Sequence, residues 1–129
     1  MLGMSSASAI QAGLKACKLF HGLDDKAVQH IAEKAVIQKQ SAGTHLILPG
    51  DKLSAMYVVL KGWVKVYRIN ENGEEAITCL FGPKDSLLGD LLFYSHPSPV
   101  GAQTETEAEL IQISVEAMRQ LMSAYPTLG

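Results

Sequence analysis

Residues 55–69, AMYVVLKGWVKVYRI, decide the fold. The apolar run Ala55 to Leu60 ends at Lys61-Gly62, and Val64 and Val66 then recur on either side of Lys65. β-Branched and aromatic residues at this density favour extended chain. A glycine between two such runs supplies the turn that folds one strand back on the other. The run is far shorter than the ~20 residues a bilayer requires, so it reads as a strand and not as a membrane span.

The same signature continues in both directions. VIQKQ (36–40), THLIL (44–48) and EEAITCLF (74–81) are short, rich in β-branched or aromatic residues, and set apart by Ala42-Gly43, Pro49-Gly50-Asp51 and Asn72-Gly73. Asn72-Gly73 carries the residue pair that accepts the positive φ values of a tight two-residue hairpin turn. Strands this close together imply antiparallel pairing. VGAQTETE (100–107) and AELIQIS (108–114) close the β region.

Helices flank it. Ala9, Ile10, Leu14 and Cys17 recur at near-helical spacing, with residues 1–8 expected to be frayed and LFHGLDD (19–25) read as a turn. Asp24 or Asp25 can cap a second helix with the stripe Val28, Ile31, Ala32 and Ala35, its edge at His30. Ser114 can cap a third, where Met118, Leu121, Met122 and Tyr125 fall at i, i+3, i+4 and i+7. The expectation is a mainly β fold with flanking helices: a double-stranded β-helix (jelly roll) with short N-terminal helices and a C-terminal helix.

With 129 residues, 47% of them hydrophobic, and a net charge of −2, the chain is one domain's worth and has no electrostatic footprint for nucleic acid or anionic membrane. Direct DNA contact from this chain is not expected. The N-terminal stretch has no continuous apolar core and places Lys15 where a signal peptide would be greasy, which argues for a cytoplasmic protein. Cys17 and Cys79 match no metal or redox spacing and are expected as reduced, mostly buried thiols.

The order of these signals resembles the effector domain of the CRP/FNR family of bacterial transcription factors, within the cyclic-nucleotide-binding domain superfamily. The resemblance covers about Leu19 to Pro126 and rests on LFHGLDDKAVQHIA, Gly50-Asp51, MYVVLKGWVKVYR, NENGEEAI, Gly89-Asp90-Leu91 and AELIQIS. It implies that residues 9–129 form a cyclic-nucleotide-binding-like sensor domain without the DNA-binding domain, acting with a small-molecule effector in transcription regulation. Family members that bind cyclic nucleotides carry a Gly-Glu-Leu turn and then an Arg-Ser/Thr-Ala segment, whose Arg pairs with the phosphate. Here Asp90 is one methylene shorter than Glu, and Ser98-Pro99 stands where Arg-Ser is expected.

That loss has a charge consequence. Between Lys84 and Arg119 there is no Lys or Arg, whereas Asp85, Asp90, Glu105, Glu107, Glu109 and Glu116 are acidic. A buried phosphate would lack its partner, at a cost of several kcal/mol. Cyclic AMP binding in the family manner is therefore not expected. Candidate effector contacts are Gly89, Asp90, Leu91, Ser98, Pro99, Gln103 and Thr104, with Arg68 as the substitute cation if a cyclic nucleotide binds after all; a strand Arg is otherwise a solvated side chain.

The segment YSHPSPVGAQ (94–103) is more like the FNR-like branch with degenerate cassettes. An iron-sulfur cluster would need more thiolates than Cys17 and Cys79 supply. Haem is compatible with the resemblance, with His96 as the axial-ligand candidate, and His96 as a surface-loop residue without a role is the competing reading. No catalytic pair and no converging set of metal ligands is visible, so an enzyme is not expected. The remaining alternative is an interaction module, a homodimer through an exposed Met118, Leu121 and Met122 face.

Overall fold

The computed structural model describes residues 6–89 and 97–125. Helix α1 (Ser6–Ala16) begins three residues before the periodicity predicted. LFHGLDD is more than a turn: a short 3-10 helix, Lys18–Phe20, opens it and buries Phe20. Asp24, and not Asp25, caps α2 (Asp25–Glu33), accepting from the Ala27 N–H at 2.8 Å. Asp25 instead pairs with Lys15 at 2.8 Å, tying α2 to α1, and Lys15 holds its carboxyl below the ordinary aspartate range.

Eight strands follow: β1 (Ala35–Gln40), β2 (His45–Ile47), β3 (Ala55–Lys61), β4 (Val64–Ile69), β5 (Glu75–Phe81), β6 (Ser86–Leu87), β7 (Gly101–Thr104) and β8 (Ala108–Ser114). Helix α3 (Val115–Ala124) ends the described chain, with the Ser114 side chain as its predicted cap. Two four-stranded sheets, ordered β1-β8-β3-β6 and β2-β7-β4-β5, form the expected jelly roll. No helix among the described residues is long and apolar enough to cross a membrane.

The unbroken apolar run at the start of β3 is explained by two cores. Met56 and Val58 point to a core shared with Leu14, Phe20, Ile31, Ile111, Ile113, Met118 and Leu121. Ala55, Tyr57 and Val59 point the other way, into the space between the sheets, to meet Val64, Val66, Ala102 and Leu110. Successive strand residues face opposite sides, so a strand with a core on each side needs apolar residues throughout.

Three expectations are corrected. Asn72-Gly73 is not a two-residue turn: Gly73 alone has positive φ (80°), Gly73 N–H donates to Asn70 O, and the Asn70 side chain accepts from Asn72 N–H (2.9 Å) and Glu74 N–H (2.8 Å). Capping by Asn70 favours a longer loop with Gly73 as its left-handed residue. Cys79 is exposed, because β5 is an edge strand and all its residues but Phe81 are exposed, whereas Cys17 is buried. Met118 and Leu121, expected as exposed, are each 1% exposed and lie in the helix-side core, with Met122 half-buried against it.

Two predictions follow from local geometry. In the Gly82–Asp85 turn Lys84 has φ 78°, a position after Pro83 that normally takes glycine. A left-handed L-residue costs about 1–2 kcal/mol, partly offset by the greater unfolded freedom of glycine. Lys84→Gly should therefore raise stability by about 0.5–1 kcal/mol in a denaturant titration. Burial pushes the Cys17 thiol above its ordinary range. In dilute native protein a thiol reagent should label Cys79 alone, Cys79→Ser should abolish that phase, and Cys17 should react only on unfolding.

Candidate functional site

The segment that returns to the barrel after the cassette is bolted to a turn 48 positions earlier in the chain, counted from Gly50 to Ser98. Pro49-Gly50 forms the tip of that turn: Gly50 has φ 92°, Asp51 N–H donates to Leu48 O at 3.0 Å, and the Asp51 carboxylate accepts from Leu48 N–H at 3.0 Å. Gly50 N–H donates to Ser98 O, and Ser98 N–H donates to Asp51 O, both at 2.8 Å. Ser98 is 4% exposed, and its hydroxyl donates to Val100 O (2.7 Å) and accepts from Val100 N–H (3.2 Å). Its polar atoms are thus satisfied internally, as burial demands. Pro99 beside it is half-buried.

A second clamp holds the other end of β7. Thr104, also buried, accepts from Thr44 N–H (2.8 Å) and donates to Ser41 O (2.7 Å) through its hydroxyl. Its carbonyl accepts from Gly43 N–H, and Gln103 Nε2 donates to Gly43 O at 3.1 Å. Ser98 with Pro99 and Thr104 with Gln103 therefore belong to two separate turn clamps, one at each end of β7.

Gly89 follows Leu88, and Leu88 is the residue with positive φ (71°). A Cβ at Gly89 would reach Met56 Sδ only at 3.7 Å, ordinary contact, so the sharp bend expected at Gly89 is made one residue earlier. A leucine held in this sparsely populated conformation is retained by burial of its side chain between the sheets. Asp90, Leu91 and His96 lie outside the described residues.

Arg68 is exposed near the end of β4, opposite Ala76 on β5. The sequence reading missed Lys65, the β4 cation that lies opposite Gln103 of β7. Its ammonium pairs with Glu75 at 2.9 Å, lies 3.6 Å from Glu105, and sits 5.6 Å from the centre of the Tyr67 ring. The hydrogen bond to Glu75 holds Lys65 above the ordinary lysine range. Tyr67 in turn overlies Gly101, where any Cβ would clash with its ring, so β7 must begin with glycine for the ring to seat. The available signal was the i, i+2 alternation of Lys65 and Tyr67 on the face opposite Val64 and Val66.

Between the sheets Ile47, Tyr57, Val59, Val64, Val66, Leu87, Val100, Ala102 and Leu110 pack into one core. The buried polar side chains among the described residues are Ser98 and Thr104, and neither is charged. Burial raises the Tyr57 hydroxyl above its usual range. Such surroundings disfavour an unpaired anion.

Comparison with known proteins gives this geometry a family. The model described as the cyclic nucleotide-binding domain matches residues 37–125. The chain is 33% identical over 110 residues to the fumarate and nitrate reduction regulatory protein of Vibrio cholerae, covering 81% of this chain and 40% of that protein. It is 23% identical over 112 residues to a CRP-like cAMP-activated global transcriptional regulator of Mycobacterium tuberculosis, covering 86% of this chain and 50% of that protein. The sensor domain of the transcriptional regulator DNR from Pseudomonas aeruginosa has the same fold, with TM-score 0.85 at 21% identity, covering 97% of this chain and 84% of that one. The chain spans half or less of the length of the two curated relatives.

The clamp on β7 is testable. Thr104→Val keeps the shape but leaves Thr44 N–H without its acceptor, and should cost about 1–3 kcal/mol in chemical denaturation. Serine at the same position should recover most of that loss, because it keeps the hydroxyl.

Proposed function

We propose that this chain, which belongs to the cyclic nucleotide-binding domain family and has CRP/FNR-type transcription regulators among its relatives, is an effector-sensing module that does not bind cyclic AMP in the family manner. One observation carries the reading: the cassette has no cation, and the buried Ser98 at its end is committed to the Gly50-Asp51 turn and to Val100. Arg68 is exposed on β4, and Lys65 is engaged by Glu75 and Glu105. The apolar residues packed between the sheets leave, among the described residues, no partner there for a phosphate and favour an uncharged or apolar small-molecule effector.

A route for the signal is built into the chain. Strand β8 contributes Leu110 to the space between the sheets, runs without a linker into α3, and ends at the Ser114 cap. An effector that spreads the sheets would displace β8 and carry α3 with it, shifting the population of α3 positions. The role proposed is binding and relay, in a cytoplasmic regulator, and not catalysis.

Calorimetry with cyclic AMP and cyclic GMP tests this reading. No saturable heat is expected at concentrations that fill ordinary cyclic-nucleotide domains. Saturable binding would overturn it. Should that binding fall by about one to two decades in Arg68→Ala, equivalent to the loss of a charge-assisted bond of about 1.5–3 kcal/mol, Arg68 is the phosphate partner and the chain is a cyclic-nucleotide domain with a non-standard contact.

A further inference from the structure

Helix α1 presents two neighbouring faces. Ile10, Leu14 and Cys17 are buried in the helix-side core. Beside them Ala9, Ala12 and Ala16 leave a groove of about 440 Å³, whose other wall is Ile37 of β1, Leu60 of β3 and Pro83 of the turn between β5 and β6. Ala12 and Ala16 are exposed, where a surface helix ordinarily sets polar side chains. Gly13 closes the floor, since any Cβ there would clash with the Leu60 side chain. From Ala9 to Ala16 the groove follows about 10 Å of helix. Apolar walls, this volume and a few polar groups at the rim are the features of a small-molecule site.

The rim supplies the charge. It carries Lys61, Lys84 and Glu109, and Lys61 pairs with Glu109 at 3.3 Å. Lys84 makes no ion pair among the described residues. Its neighbour Asp85 does not line the groove, and the Asp85 carboxylate accepts from Gly82 N–H at 2.9 Å to close the turn. That turn is bolted to the groove wall: Lys84 N–H donates to Val59 O and Val59 N–H donates to Asp85 O, both at 2.9 Å. Lys84 is also the residue held at φ 78°, where the turn alone would select glycine. Strain of this kind clusters at ligand clamps, and here it keeps an uncompensated ammonium at the mouth of an apolar groove.

We infer that this groove binds a straight-chain aliphatic carboxylate of the size of octanoate or decanoate, its chain laid along α1 and its carboxylate at Lys84. The occupant is argued from complementarity. Walls of alanine, leucine, isoleucine and proline would leave the hydroxyls of a sugar or nucleotide unpaired, whereas they cover methylenes without loss. One ammonium matches one carboxylate, and a phosphate dianion would ask for more. The groove runs along a helix axis, which suits an extended chain. Ile37 and Leu60 pack against the helix-side core, so the site lies apart from the space between the sheets and does not rest on the effector reading.

The test is calorimetric titration of the whole 129-residue chain with hexanoate, octanoate and decanoate below micelle formation, and with octanol as the uncharged counterpart of octanoate. Saturable binding is expected, tightening by up to about fourfold for each methylene buried. Octanoate should bind ahead of octanol. Lys84→Gln should remove that preference, a loss of about two- to fivefold for an exposed charge pair, while Lys52→Gln, at another exposed lysine, should leave it in place. Lys84→Gly should show the same loss in a fold that is more stable, which separates affinity for the acid from stability. Ala12→Phe and Ala16→Phe fill the groove and should each abolish binding. Both positions are exposed, and thermal melts check that each variant is folded; if one is not, the other decides. An absence of saturable binding, binding that survives the phenylalanine substitutions, or a preference for octanoate unmoved by Lys84→Gln would each overturn the inference.

Discussion

Both faces of β8 are apolar because two cores meet on it, and the rest of the molecule is arranged around that constraint. Leu110 and Ala108 look into the space between the sheets, while Ile111 and Ile113 look toward the helices. Its two edges are taken as well, by β1 on one side and β3 on the other. A strand buried on both faces and paired on both edges has no freedom to slip, since a shift of one residue would exchange the contents of the two cores. It therefore sets the register of β1 and β3 together, and positions α3, which starts at its last residue.

The described residues that lead into β7 owe their chemistry to what this frame leaves unpaired. Polar groups entering the barrel at Ser98 and Thr104 are consumed by neighbouring turns, as buried polar groups must be. The cations on β4 are directed elsewhere, Lys65 to two glutamates and Arg68 to solvent. Among the described residues, what remains between the sheets is hydrocarbon and one tyrosine.

Helix α3 and strand β5 contrast in how firmly they are held. Helix α3 has its apolar stripe committed to the helix-side core, with Tyr125 contacting His30 of α2 edge to face at 5.8 Å between ring centres. Such a helix can transmit a displacement of β8, because it is held by contacts and does not float free. Strand β5 is the opposite case. Among the described residues it has one neighbour, β4, and almost no buried side chain.

Periodicity and turn chemistry made most of the element order and the mainly β architecture legible, because strand alternation, helical spacing and glycine at positive φ are local properties that each residue carries with it, and the resemblance of the motifs in that order pointed to the family. Gly43, Gly50, Gly62 and Gly73 are left-handed in the structure, at the positions where glycine had punctuated the strands. The absence of a cation from the cassette was equally legible, since it needs only a count along the chain. Long-range facts were not. The bonds of Ser98 to Gly50 and Asp51 join backbone atoms, which have no residue signature, and the left-handed Leu88 and Lys84 break the rule that would have pointed to them. A stripe of Met118 and Leu121 announces burial but not its partner, so α3 looked free for a second chain when its own core had claimed it. The exposure of Cys79 and Ile77 was hidden for the same reason: a β-branched strand reads alike at the centre of a sheet and at its edge, and only the tertiary pairing decides which edge is left open.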